Sequence, residues 1–376
     1  MIVQIMQKRL NEVVEKFGFT KNLTDVSSYG KGHINDTFCL TFKSENGMCE
    51  KVILQRINKE VFKKPEEVME NIVKVTEHVC KKVEEAGGDP MREVLQVIPA
   101  LDGRPYCVDS SGDYWRAYEF ISDVFACDRV ENPEQFYQCG WLIGKFQSML
   151  ADYPAETLYE TIEGFHDTRK RFEAFKEAVN EDKAGRSAGV RKEIQFVLDR
   201  EEIVDCFAAL FERGEIPLRV THNDTKMNNI LLDNSTGKAF CIVDLDTVMP
   251  GFSMNDFGDA IRSAASTAAE DERNLSKVSC DMELFEACVR GFIKGCDGKL
   301  TEKEIEMLPM GAKLMTFECG MRFLADYLNG DTYFKVDRES HNLDRCRTQF
   351  KLVEDMERKW YTMKRIIEKY SYQEER

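Results

Sequence analysis

The sequence predicts an α+β protein in two lobes, a small β-rich lobe over residues 1–121 and a larger, mostly helical lobe over residues 122–376. Three observations predict it. Residues 24–60 alternate strand-like runs with turn residues. One long amphipathic segment then starts at Pro65. Beyond Ser122 the pattern is helical, interrupted by a single β-type island at 217–250.

In the first lobe, Thr24 to Tyr29 reads as a strand, Gly30-Lys31-Gly32 as a turn and Thr37 to Phe42 as the return strand. Glu45-Asn46-Gly47 turns again, and Lys51 to Ile57 makes a third strand. Pro65 suits a first helical turn. Val68, Ile72, Val75, Val79 and Val83 then share one helical face, and Gly87-Gly88 ends the helix. Residues 94–121 return to strand character, with turns at Asp102-Gly103 and Ser110-Ser111-Gly112. In the second lobe, Asn132-Pro133-Glu134-Gln135 starts a helix that runs to about Leu150: asparagine caps, proline takes the first position and glutamine reaches back. Helical spacing recurs at 168–182, 189–213, 280–295, 302–329 and about 343–370.

A chain of 376 residues with 43% hydrophobic content can bury a core in each lobe. The net charge of −15 argues against a nucleic-acid partner and against an anionic membrane surface. Local donors and a metal suffice for a nucleotide, so the acidity does not exclude one. The 13 cysteines include no Cys-x-x-Cys, and the five histidines do not cluster with them. Free thiols in a reducing cytosol are expected, with neither a structural zinc site nor a disulfide framework. Met1 to Phe19, with Lys8, Arg9, Glu12, Glu15 and Lys16, reads as an amphipathic helix and not a signal peptide. No run approaches the ~20 apolar residues that span a membrane. A cytoplasmic protein without an obligate protein partner is expected.

The chemistry concentrates in His222-Asn223-Asp224-Thr225-Lys226-Met227-Asn228-Asn229, which fits the kinase catalytic-loop pattern H-x-D-x-x-x-x-N. Phosphoryl transfer needs a carboxylate beside the acceptor hydroxyl, the role expected of Asp224. It also needs an oxygen ligand for magnesium, expected of Asn229. Ile230 to Leu232, the turn Asn234-Ser235-Thr236-Gly237 and the strand Ala239 to Val243 form a hairpin that leads to Asp244-Leu245-Asp246. Asp244 is expected as the second magnesium ligand. Asp246 has two readings, bridging ligand or turn former. Asp256-Phe257-Gly258 spells the kinase metal motif but lies beyond Pro250-Gly251, so Asp256 and Asp259 read as caps or braces of the next helix. The order of lobes and motifs is that of a protein-kinase-like bilobal fold, with ATP and Mg2+ as expected co-substrate and metal.

Gly30 and Gly32 lie where a glycine turn covers phosphates, though a plain β-turn has the same residues. His33 follows, as a cleft contact or a turn histidine. The strand lysine that usually holds the phosphates is missing, and Gln55 or Arg56 takes its place according to which face looks inward. Glu119 and Ile121, at the end of the small lobe, offer backbone groups to adenine or continue an ordinary strand.

The blocks Tyr29 to Asn35, Thr221 to Asn229, Asp244 to Gly251 and Glu318 to Tyr327 together resemble the N-acetylhexosamine 1-kinases, within the aminoglycoside phosphotransferase and choline kinase-like superfamily. The resemblance covers about residues 20–360. It implies transfer of the ATP γ-phosphate to the anomeric hydroxyl of N-acetylglucosamine or N-acetylgalactosamine. Asp224 matches the family base, Asn229 and Asp244 the metal ligands, and His33, Arg322 and Tyr333 positions that contact the sugar. Ser263 stands where an aromatic residue is expected near the sugar. Taken by itself, Arg322 in an apolar helix needs a partner, and Asp326 four residues on would serve. Two other readings stand beside the sugar kinase: a kinase of an amino alcohol or aminoglycoside, and a nucleotide-binding module without turnover.

Overall fold

The computed structural model describes residues 2–19, 23–30, 34–43, 49–127 and 129–371, with side chains from Arg9 onward. Gly32 and His33 lie outside the described residues. The chain divides into two compact units, one of Met1–Val124 with Val243–Thr247, the other of Phe125–Ile242 with Val248–Arg376. The short segment carrying Asp244 and Asp246 therefore groups with the first unit.

The first unit begins with helix α1 (Ile2–Lys16), followed by strands β1 (Leu23–Ser28), β2 (Asp36–Lys43) and β3 (Cys49–Arg56). Helices α2 (Pro65–Glu85) and α3 (Pro90–Glu93) and strands β4 (Val97–Ile98), β5 (Cys107–Val108) and β6 (Tyr114–Glu119) complete it. The antiparallel sheet runs β1-β2-β3-β6-β4, with β5 also on β6. Alternation along each strand decides what lies on each face. Leu40, Leu54, Trp115 and Ala117 pack with Leu10, Val13, Val14 and Phe17 of α1. Gln55 and Arg116, paired in register, point to the opposite face. There Arg116 meets Met69 of α2. Arg56 shares the α1 side, bonded to Asp36 and Asp113. Gln55 thus lies on the α2 face of the sheet and Arg56 on the α1 face.

Strand β7 (Val124–Ala126) spans the junction of the units. The second unit continues with α4 (Pro133–Met149), α5 (Thr168–Glu181), α6 (Arg191–Leu198) and α7 (Cys206–Glu212). Strands β8 (Arg219–Thr221), β9 (Ile230–Asp233), β10 (Ala239–Ile242) and β11 (Met249–Gly251) form the β island. Helices α8 (Ser253–Ala264), α9 (Met282–Cys296), α10 (Glu302–Glu306), α11 (Leu308–Leu328), α12 (His341–Arg358) and α13 (Trp360–Ser371) close the chain. A β-sheet unit followed by a helical unit with a β insert is the kinase-like bilobal fold.

Three expected helices are each broken. The stretch 189–213 splits near Arg200, whose side chain leaves to pair with Glu357 and stack on Phe196. The stretch 302–329 breaks at Met307, because Pro309 has no amide to continue the ladder. The stretch 343–370 breaks at Lys359, whose ammonium is drawn to Asp355 and the Cys280 carbonyl. Within this unit α8 and α11 cross at bare backbone. A Cβ on Gly258 would lie 2.2 Å from the Gly311 carbonyl oxygen. That close approach fixes α8, which carries Asp256, against α11, which carries Glu318 and Arg322. No helix among the described residues is long and apolar enough to cross a membrane.

Candidate active site

The loop after β8 is held from several sides. Strand β11 pairs with β8, setting Met249 opposite Thr221. Asn223 adopts a left-handed conformation, φ +63°, which asparagine tolerates better than most residues. Its side chain accepts from Thr221 Oγ1 at 2.9 Å. Asp256, in the first turn of α8, accepts from the His222 amide at 2.9 Å and the Asn223 amide at 2.7 Å. Gln147 Nε2 donates to the same carboxylate, and Thr225 Oγ1 to the Asp256 carbonyl. Burial pushes the Asp256 carboxyl above its usual range, against the pull of His222 and the donated amides. Asp256 is a brace, as the sequence expects, but it braces the loop and not its own helix. Asp259 pairs with Arg262 on α8.

Asp224 follows. Its amide donates to His222 Nδ1 at 3.2 Å. Its carboxylate accepts from Lys226 Nζ at 2.6 Å and from Asn229 Nδ2 at 3.2 Å. Burial alone would raise its pKa; the charge and hydrogen bond of Lys226, with Arg262 behind, outweigh burial and hold the carboxyl below the usual range. Asp224 is therefore ionised at neutral pH. Asn229 also donates to the Asp224 carbonyl at 2.9 Å. Its Nδ2 thus serves the loop, while its Oδ1 accepts no hydrogen bond among the described residues. A hard cation takes such an oxygen. Asp244 has φ +64°, a second left-handed residue at the motif. An amide oxygen and a carboxylate are the donor types magnesium uses, together with phosphates and water, so these residues fit it.

The opposite end of the unit-two site is built on α11. Arg322 is half-buried and makes no ion pair or hydrogen bond among the described residues. Its guanidinium lies 5.3 Å from the Phe165 ring, 5.8 Å from Tyr333 and 5.5 Å from Phe334. The partner that the spacing suggests is committed elsewhere. Asp326 accepts the amides of Thr332, Tyr333 and Phe334 at 2.9, 2.8 and 3.0 Å, and Asn342 Nδ2 at 2.9 Å. It shapes the turn that presents the two rings to Arg322. Tyr333 is 56% exposed. Ser263 donates to the Ala260 carbonyl within α8.

Between these two groups stands His166, which the sequence did not single out. Nδ1 lies 2.8 Å from Glu318 on α11, and Nε2 lies 2.9 Å from the Asn223 carbonyl. No local pattern marks it, because its partners are 57 and 152 residues away.

In the first unit, Arg116 is almost fully buried. It donates to Gln55 Oε1 from Nε at 3.0 Å and Nη2 at 2.9 Å, and it pairs with Asp246. Asn35 Nδ2 reaches the other Asp246 oxygen at 2.6 Å. Gln55 Nε2 donates to Thr37 Oγ1 at 2.9 Å. Of the two readings of Asp246, the structure shows it ion-paired to the sheet; this pair pins the segment that carries Asp244. Removing either partner strands a buried charge, at a cost of about 3–5 kcal/mol. Gln55 therefore acts first on Arg116. Gly30 has φ +76° with open space around it. The preceding Tyr29 ring lies edge-on to Phe120 at 5.8 Å, close to Glu119 and Ile121. The Glu119 amide is taken by the Gln96 carbonyl at 3.0 Å, whereas the Ile121 backbone makes no hydrogen bond among the described residues.

Residues 27–277 match the model of the phosphotransferase enzyme family. The chain belongs to that family. Solved structures agree with this phosphotransferase fold. A microcompartment-associated aminopropanol kinase is 18% identical with a TM-score of 0.62, over 96% of this chain and 98% of that one. An aminoglycoside phosphotransferase from Alicyclobacillus acidocaldarius is 12% identical, with a TM-score of 0.58 and 96% of each chain covered. Spectinomycin phosphotransferase in complex with ADP and spectinomycin is also 12% identical, with a TM-score of 0.57, over 93% of this chain and 96% of that one.

Proposed function

We propose that this phosphotransferase transfers the γ-phosphate of ATP to the anomeric C1 hydroxyl of N-acetylhexosamines. Asp224 is the base, Asn229 and Asp244 are the magnesium ligands, and Arg322, Tyr333 and His33 hold the sugar. Gly30, Gly32, Gln55, Glu119 and Ile121 serve the nucleotide, the last through its open backbone. Bound magnesium would neutralise charge on the phosphates.

The observation that supports the acceptor class is Arg322. Its donors are uncommitted, and three rings hold it in place without offering a hydrogen bond. A guanidinium so held suits an acceptor with carbonyl or hydroxyl oxygens, such as an acetamido sugar. An amine acceptor such as aminopropanol brings a cation towards it and is repelled. Asp224 supports the regiochemistry. A carboxylate held below its usual range is a weak base, and the anomeric hydroxyl is the most acidic hydroxyl of a sugar. Positioning and charge stabilisation carry most of the work in such a transfer.

A coupled assay of ADP release across hexosamines, amino alcohols and aminoglycosides tests the reading. N-acetylglucosamine or N-acetylgalactosamine should give the highest kcat/KM. Asp224→Asn should lower kcat by roughly 10²–10⁴-fold while acceptor binding persists. Turnover confined to amines would overturn the acceptor class, and no turnover with any acceptor would leave a binding module.

A further inference from the structure

We infer that His166 is a positioning residue for the transfer, holding the Asp224 loop by a hydrogen bond from Nε2 to the Asn223 carbonyl while Glu318 holds Nδ1. The inference rests on Asp224 being the base.

Hydrogen-bond inventory fixes one proton on the ring. A carbonyl oxygen only accepts, so Nε2 must carry a proton to bond Asn223 at 2.9 Å. On the other side of the ring Nδ1 lies 2.8 Å from Glu318. The other Glu318 oxygen accepts from Thr168 Oγ1 at 2.7 Å. Burial would raise the Glu318 carboxyl; His166, Arg322 and the Thr168 hydroxyl outweigh it and hold the carboxyl below its usual range. The charged groups around the ring come from two helices. Arg322 on α11 and Arg171 on α5 both face Glu318 and oppose a further positive charge. Arg171 is anchored on the Phe165 carbonyl at 3.2 and 3.1 Å. Glu318 is in direct contact with the ring and nearly inaccessible to solvent, and Asp167, beside His166 in the chain, also acts on Arg171.

The placement sets what the bond does. Asn223 precedes the base and is left-handed. Its amide is fixed by Asp256 and its side chain by Thr221, which leaves the carbonyl as its remaining backbone group. His166 fixes that carbonyl, and Glu318 fixes the ring that donates to it. Glu318 lies one helical turn before Arg322, so one buried carboxylate serves both the loop that carries the base and the helix that carries the acceptor-binding arginine.

The test begins with wild-type protein labelled with 15N in its five histidines. Two-bond proton–nitrogen spectra, without substrates, should show a ring with Nε2 protonated whose signal vanishes in His166→Gln. A His166 ring with unprotonated Nε2 in wild type overturns the inference, whether or not a variant folds. In folded His166→Gln, kcat should fall by roughly 10²-fold through displacement of the base, while acceptor and ATP KM stay within about threefold. A kcat within about twofold of wild type overturns it too. The ring spectrum needs no acceptor. If no acceptor is phosphorylated, the functional reading fails while the spectrum still decides His166.

Discussion

Replacing Arg322 by alanine removes a side chain whose donors are uncommitted within the described residues. No ion pair is broken, because Asp326 is occupied by three amides and Asn342. The rings at 5.3, 5.5 and 5.8 Å lose a cation worth about 0.5–2 kcal/mol, so the fold should survive with a modest drop in Tm. The effect on acceptor binding is larger. A hydrogen bond from a charged group contributes about 1.5–3 kcal/mol. At about 1.4 kcal/mol per factor of ten, the acceptor KM should rise roughly 10- to 150-fold. Because the contact exists before and during transfer, kcat should change much less. Arg322→Lys keeps the charge and loses the planar fork, so its KM should fall between the two. The assay is ADP release, varying N-acetylglucosamine or N-acetylgalactosamine at saturating ATP and then ATP at saturating sugar. An acceptor KM within about threefold of wild type, or an equal rise in the ATP KM, would refute the assignment of Arg322.

Three further outcomes follow from the loop. Asp224 is held below the usual carboxylate range, so it stays ionised as pH falls and its contribution to kcat/KM is lost only at pH values below those where an ordinary aspartate protonates. Lys226→Met removes the nearest cation, so the acid limb of the pH profile should move to higher pH; a limb that does not move contradicts the pairing. Asn229→Ala should raise the magnesium concentration needed for half-maximal rate, and an unchanged titration would remove that ligand. Asp256→Ala leaves the His222 and Asn223 amides buried without acceptors, at about 1–3 kcal/mol each. It should lower Tm sharply without altering magnesium dependence, and a folded but inactive variant with normal Tm would make Asp256 part of the chemistry.

The sheet and the loop were legible because their signals are local. Gly30, the hairpin turn at Asn234 to Gly237 and the alternation of apolar residues act over a few positions. The long helix of the first unit was legible for the same reason: its valines repeat at helical spacing and a proline opens it. The breaks at Arg200 and Lys359 were not, because Arg200 pairs with Glu357 on a distant helix and Lys359 also donates to the distant Cys280 carbonyl. Arg116 escaped notice because strand alternation places it on a face only once the register with Gln55 is known. Asp326 shows the limit of spacing arguments. Four residues separate it from Arg322, but backbone amides of the following turn compete for its carboxylate and win. His166 had no local marker at all.

In the proposed reaction the anomeric hydroxyl attacks the γ-phosphate. Phosphorus NMR of the product from uniformly 13C-labelled N-acetylglucosamine reads it directly, through the carbon atoms that couple to the phosphorus. Coupling to C1 and C2 is the predicted result. Coupling to C6 and C5 would place the phosphate on the exocyclic oxygen and contradict the account.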